Sequence, residues 1–185
     1  LLYIAVFSFL ILKPKVVGDS LLYTSSIEVL STKIIPEGFV PMMIVSTFVG
    51  LKLLMILNFF TGQIEFSWMI LDTTLYLIMG MFFYSLVKRI IKNEEVAFIS
   101  TLFLATNYAA VSFGLGFMMD MGGWAAYVAS IYYSYRYIES KNDNKWIYIS
   151  SVIIGVGGLY KEYAFVACVV LAGVVIWKNY FLFKS

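Results

Sequence analysis

Seven apolar runs, separated by short polar breaks, dominate this chain: 1–12, 41–60, 66–87, 96–113, 119–138, 146–160 and 163–177. One helix needs about 20 apolar residues to cross the hydrocarbon core of a bilayer, and several of these runs approach that length. A soluble domain of 185 residues has too little interior to hide them, because 62% of the residues are apolar and only 13% charged. Ordinary globular chains are about half apolar and a quarter charged. Lipid has to cover the surplus, so the chain reads as an all-α polytopic membrane protein.

The same composition excludes several function classes. A net charge of +2, with lysines scattered between apolar runs, gives no nucleic-acid-binding face. The chain has no histidine, and Cys168 is its only cysteine. That removes disulfides, zinc sites and Ser/His or Cys/His nucleophiles. An oxygen-ligated divalent ion stays open. GVGGLYK, at 155–161, lacks the GxxxxGK[ST] of a phosphate loop, and its glycines suit close helix packing. The opening run, LLYIAVFSFLIL, stops at Lys13 after twelve residues. It reads as the truncated end of a span, and the whole chain as the N-terminal part of a longer single module.

Charge placement orients the spans. The loops at 88–95 and 135–145 carry six of the thirteen basic residues, including both arginines. Short loops so enriched belong on the cytoplasmic side. The run 41–60 bears Lys52 at its middle, which at a bilayer centre would cost about 2.5–3.5 kcal/mol. It is therefore expected to lie in the outer interface with Lys52 turned to water, leaving 13–65 as one outer loop. Trp68, Trp124, Trp146 and Trp177 fall near run ends and are expected at headgroup level.

This topology gathers three polar sites on the extracytoplasmic side: Asp19, Asp120, and the pair Lys161 and Glu162. Each also has a plain reading. Asp19 and Asp120 could cap the helices that follow them, and Lys161 could snorkel to headgroups. Asp72, inside the run 66–87, reads as a satisfied intramembrane residue that a proton can neutralise. Glu28, Glu37 and Glu65 are expected to face water.

The order of these features resembles the membrane glycosyltransferases of the GT-C fold, in the branch of protein O-mannosyltransferases and lipid A aminoarabinose transferases. An outer loop with an acid followed four residues later by tyrosine is matched by Asp19 and Tyr23 in GDSLLY. A proline-led amphipathic segment is matched by VPMMIVSTFVGLKLLMILNFFTG. A span ending in paired basic residues is matched by LYLIMGMFFYSLVKRI, and an aspartate at an outer turn by Asp120 in GLGFMMD. A glycine-rich span leading to a Lys-Glu pair is matched by VIIGVGGLYKEY. Two positions depart from the family: Asp19-Ser20 stands where Asp-Glu is common, and Val40-Pro41 where several members have Lys-Pro-Pro. The second departure moves the expected phosphate contact to Lys161, Lys33 or a residue beyond Ser185.

The resemblance implies a GT-C-type helix bundle whose outer loop bears interfacial helices. It also implies transfer of a sugar from a polyprenyl-phosphate donor to a hydroxyl of a protein, lipid or glycan, with inversion, at the outer face of a prokaryotic cell membrane. Asp19 would be the general base. Lys161 would stabilise the departing phosphate, and Tyr23, Asp120 and Glu162 would bind substrate. No cofactor is required, although Asp19 and Asp120 could share a divalent ion. A transporter or flippase segment, or a non-catalytic membrane scaffold, is the alternative, since Lys52, Asp72 and broken apolar segments also occur in transporters.

Overall fold

The computed structural model describes residues 19–35, 41–112, 117–140 and 143–182. The expectations for 1–12, Glu37 and Val40 lie outside these residues. Among the described residues all regular structure is helical, with no strand. In chain order the helices are α1 (Asp19–Thr32), α2 (Pro41–Ser46), α3 (Phe48–Thr61), α4 (Ile64–Ile91), α5 (Glu94–Thr106), α6 (Tyr108–Ser112), α7 (Asp120–Glu139) and α8 (Lys145–Gly158). A 3₁₀ turn (Glu162–Val166) then leads into α9 (Ala167–Leu182).

Local chemistry sets where these helices stop. Gly62 closes α3 in the left-handed region, at φ 67°, and returns its N–H to the Asn58 carbonyl. Lys92 does the same for α4, bonding Lys88. Asn93 then starts α5, its side chain accepting from the N–H groups of Glu95 and Val96. Two expected continuous helices are broken. The run 41–60 divides at Thr47, and the run 96–113 divides at Asn107, which leaves the helix at ψ 138°. There the Asn107 side chain accepts from the Ala109 N–H, so a polar cap restarts the chain as α6.

Among the described residues two helices, Ile64–Ile91 and Glu162–Tyr180, are long and apolar enough to cross a membrane. The first has 28 residues, a length of about 42 Å. At 14, 13 and 14 residues, α3, α5 and α8 reach only about 21 Å each. The 20 residues of α7 are long enough, but its glycines, serines and end charges keep its hydropathy low.

Small residues let α7 and α8 approach closely. A Cβ built on Gly157 would collide with the Ala126 methyl. Between the same helices the buried hydroxyls of Ser134 and Ser150 lie 3.0 Å apart, and both bond the Ser130 carbonyl. The Phe82 ring of α4 packs on Tyr132 and Tyr133 of α7.

The basic loops share one end of the molecule. Arg89 pairs with Glu139 at 3.0 Å, Arg136 lies over the Trp146 ring, and Lys178 donates to the carbonyls of Tyr137 and Ser140. Those last bonds satisfy carbonyls that the end of α7 would otherwise leave bare.

Trp68 departs from expectation. It is fully buried rather than interfacial, stacked on Phe117 and tilted against Tyr23, each at 6.1 Å between ring centroids. Packing between α1 and α4 claims the indole, and its N–H has no hydrogen-bond partner.

Candidate functional site

At the other end of the molecule, three segments far apart in sequence meet. Tyr23 lies one turn into α1 with its ring buried against Trp68. Lys161 occupies the extended residue between α8 and the 3₁₀ turn, at φ −157° and ψ 126°. Asp120 is the first residue of α7; the cap position belongs to Met119, so Asp120 is not the cap expected of it. The Lys161 ammonium donates to the Tyr23 hydroxyl at 3.1 Å and lies 3.8 Å from the Asp120 carboxylate. Rather than snorkelling outward, it is turned inward with only 16% of its side chain exposed.

Glycines make this meeting possible. After Asp120 and Met121 come Gly122 and Gly123, both buried on the first turn of α7. A Cβ on Gly122 would run into the Tyr160 ring. One on Gly123 would lie 2.8 Å from Lys161 Cβ and 2.7 Å from the Tyr163 ring. The Tyr160 ring is also closed in by Gly50 of α3, and the Val49 N–H of that helix donates to the Leu159 carbonyl at 3.0 Å. Tyr163 donates its hydroxyl proton to the Asp120 carbonyl. The turn 159–163 is thus clamped to α3 and α7, and the clamp aims Lys161.

The electrostatics fix the protonation states of Lys161 and Tyr23 at neutral pH. Burial alone would lower the Lys161 ammonium, but the Tyr23 hydroxyl and the charges of Asp120 and Glu162 hold it above the ordinary lysine value. Burial pushes the Tyr23 phenol up, against the influence of Lys161. Lys161 is therefore a cation and Tyr23 a neutral phenol that accepts from it.

The remaining expected site residues are placed differently. Asp19 opens α1 one turn before Tyr23, exposed, and makes no hydrogen bond or ion pair among the described residues. Its charge still acts on Tyr23 and Asp120, so it borders the cluster. Glu162 is exposed and bonds none of these groups. Among the described residues, no three His, Cys, Asp or Glu side chains group as metal ligands. Glu28 and Glu65 are exposed as expected.

Asp72 is not the satisfied residue the sequence suggests. It is buried, and neither carboxyl oxygen has a hydrogen-bond partner. The Phe117 main chain, turned to φ 60°, comes nearest without meeting hydrogen-bond geometry. Asp72 lies one turn from Trp68 on the same face of α4.

The profile of one protein family, dolichyl-phosphate-mannose-protein mannosyltransferase, matches residues 40–185. The chain belongs to that family. It is accordingly a mannosyltransferase-like glycosyltransferase of the GT-C type, from a family that is integral to membranes. The family match takes in Asp120, Lys161 and Glu162 and begins after Asp19 and Tyr23. No curated protein and no solved structure matches the chain.

Proposed function

We propose that this family member moves a sugar from a polyprenyl-phosphate donor to an acceptor hydroxyl, with inversion at the anomeric carbon. Asp19 takes the acceptor proton as the new carbon–oxygen bond forms. The bond from the anomeric carbon to phosphate breaks, and its electron pair leaves on the phosphate oxygen beside Lys161. Asp120 and Tyr23 hold the ammonium in place, and Glu162 contacts sugar hydroxyls from the exposed side. A divalent ion shared by Asp19 and Asp120 would assist the same charge development, and loss of transfer with a chelator would reveal it.

One observation carries this reading. A half-buried ammonium is fixed between a phenol and a carboxylate from distant segments, and an exposed carboxylate with no partner among the described residues lies one helical turn before that phenol. An ammonium so placed is poised for a developing anion, and an exposed carboxylate can reach an acceptor hydroxyl. The exposed Asp19 suits the acceptor side, and the clamped Lys161 suits the donor side.

The wider architecture belongs to the same proposal. Residues 1–185 would form the N-terminal part of one multi-span GT-C bundle, of the protein O-mannosyltransferase or lipid A aminoarabinose transferase-like branch. Its site would face the extracytoplasmic side of a prokaryotic membrane, and its acceptor would be a protein, lipid or glycan. The basic end that contains Arg89, Arg136 and Lys178 supports that orientation.

The test is transfer from a polyprenyl-phosphate sugar by the full-length protein. Asp19→Asn is expected to lower kcat by about 10²–10⁴-fold, the usual worth of a general base. Near-normal turnover in that variant would remove Asp19 from the role.

A further inference from the structure

A groove of about 630 Å³ opens between α1 and α3, starting one turn along α1 from Tyr23. Ile27 and Ser31 face Lys52, Met55, Asn58 and Phe59 across it. On α3 the spacing of 52, 55 and 59 puts these side chains on one helical stripe. The outer lip is strongly apolar: Phe59 is 84% and Phe60 77% exposed, and their rings meet edge to face.

Two polar groups of this greasy groove lack hydrogen-bond and ion-pair partners among the described residues. The Lys52 ammonium lies 5.7 Å from the Phe48 ring, and among the described residues no carboxylate comes within ion-pair distance. The neighbouring acid on α1, Glu28, is exposed and makes no ion pair there. The Asn58 side-chain oxygen is buried with no donor. A buried acceptor without a donor costs about 1–3 kcal/mol, and a cation on an apolar stripe calls for an anion.

We infer that this groove binds an anionic glycerophospholipid of the bilayer, with its phosphate on Lys52 and an acyl chain along Phe59. That ligand meets both needs of the groove at once: negative charge and a long apolar tail. The exposed rings of the lip, Phe59 and Phe60, suit contact with such a tail. The site is separate from the sugar-transfer reaction and does not depend on it.

The full-length protein is equilibrated in vesicles of equal phosphatidylglycerol and phosphatidylcholine and extracted in a neutral detergent. The retained lipids are then counted by native mass spectrometry. Wild type is expected to keep phosphatidylglycerol over phosphatidylcholine by about five-fold, the effect of one basic residue near a membrane surface. Lys52→Gln should bring the ratio near one, Lys52→Arg should preserve it, and Met55→Trp should reduce retention of both lipids by filling the groove. Parity in wild type, or an unchanged ratio in Lys52→Gln with intact helix content, would overturn the inference. So would displacement of the phosphatidylglycerol by equimolar farnesyl phosphate, which would make the groove a donor-lipid site.

Discussion

Replacing Gly122 by alanine tests the clamp that positions Lys161. The added methyl points into the Tyr160 ring, contacting three of its carbons. The ring has little room to retreat, because Gly50 also borders it, where a Cβ would find Tyr160 Cε1 at 3.0 Å. Overpacking of this kind costs about 1–3 kcal/mol, while replacing a helical glycine by alanine returns about 1 kcal/mol. The net loss is thus about 0–2 kcal/mol, or a fall in Tm of up to about 8 °C at about 2–4 °C per kcal/mol for a chain of this size. Gly155→Ala is the matched control, since nothing lies within 4 Å of its Cβ position; it should raise Tm by about 2–4 °C. Activity separates the two variants further. Tyr160 precedes Lys161, so its displacement should cut transfer at least ten-fold in Gly122→Ala and leave Gly155→Ala unchanged. Thermal unfolding and sugar transfer on the full-length protein provide the readouts. If Gly122→Ala matches Gly155→Ala in both, the turn is not clamped as described.

Asp72→Leu should raise Tm by a few degrees, because an apolar side chain of similar size removes a buried carboxyl group without partners; a clear fall would mean that the carboxyl has a partner. With Lys161 held above the ordinary lysine value, its cationic form is complete at neutral pH and is lost only as pH rises through that raised value. The pH–rate profile should therefore show no alkaline limb between about pH 7 and about pH 9, and a limb in that window would take the essential cation away from Lys161. Single cysteines at Leu21 and Leu159 should react with an impermeant thiol reagent from one side of the membrane, and cysteines at Lys92 and Asn144 from the other. Labelling of Leu21 and Leu159 from opposite sides would break the composite site.

Much of this was legible in the sequence because it rests on periodicity and charge. The apolar run 66–87 predicts α4, and the basic loops predict that Arg89 and Arg136 share an end. Asp120, Tyr23 and Lys161 could be named singly, from their depth and from the resemblance. What could not be read was their contact. That contact depends on which faces of α1 and α7 the turn 159–163 meets, and the signal for it was the glycine pair behind Asp120. The doublet becomes meaningful only once Tyr160, Lys161 and Tyr163 are seen filling the space it leaves. Trp68 was misplaced for the opposite reason. An indole near a span end suits headgroups by default, and only the packing of α1 against α4 turns it inward. The breaks at Thr47 and Asn107 do not show in the sequence because apolar periodicity continues across both; at Asn107 a single polar cap decides the backbone.

The most direct test is the single-turnover rate of sugar transfer in Lys161→Gln. The amide keeps much of the side chain's bulk and removes the charge from between Tyr23 and Asp120. The rate of the chemical step should fall about 10²–10³-fold, the usual loss when one preorganised stabiliser of a developing anion is removed, with acceptor binding unchanged. A rate within two- or three-fold (roughly 0.5 kcal/mol) of wild type would contradict the account, because the reacting phosphate would then not depend on this lysine.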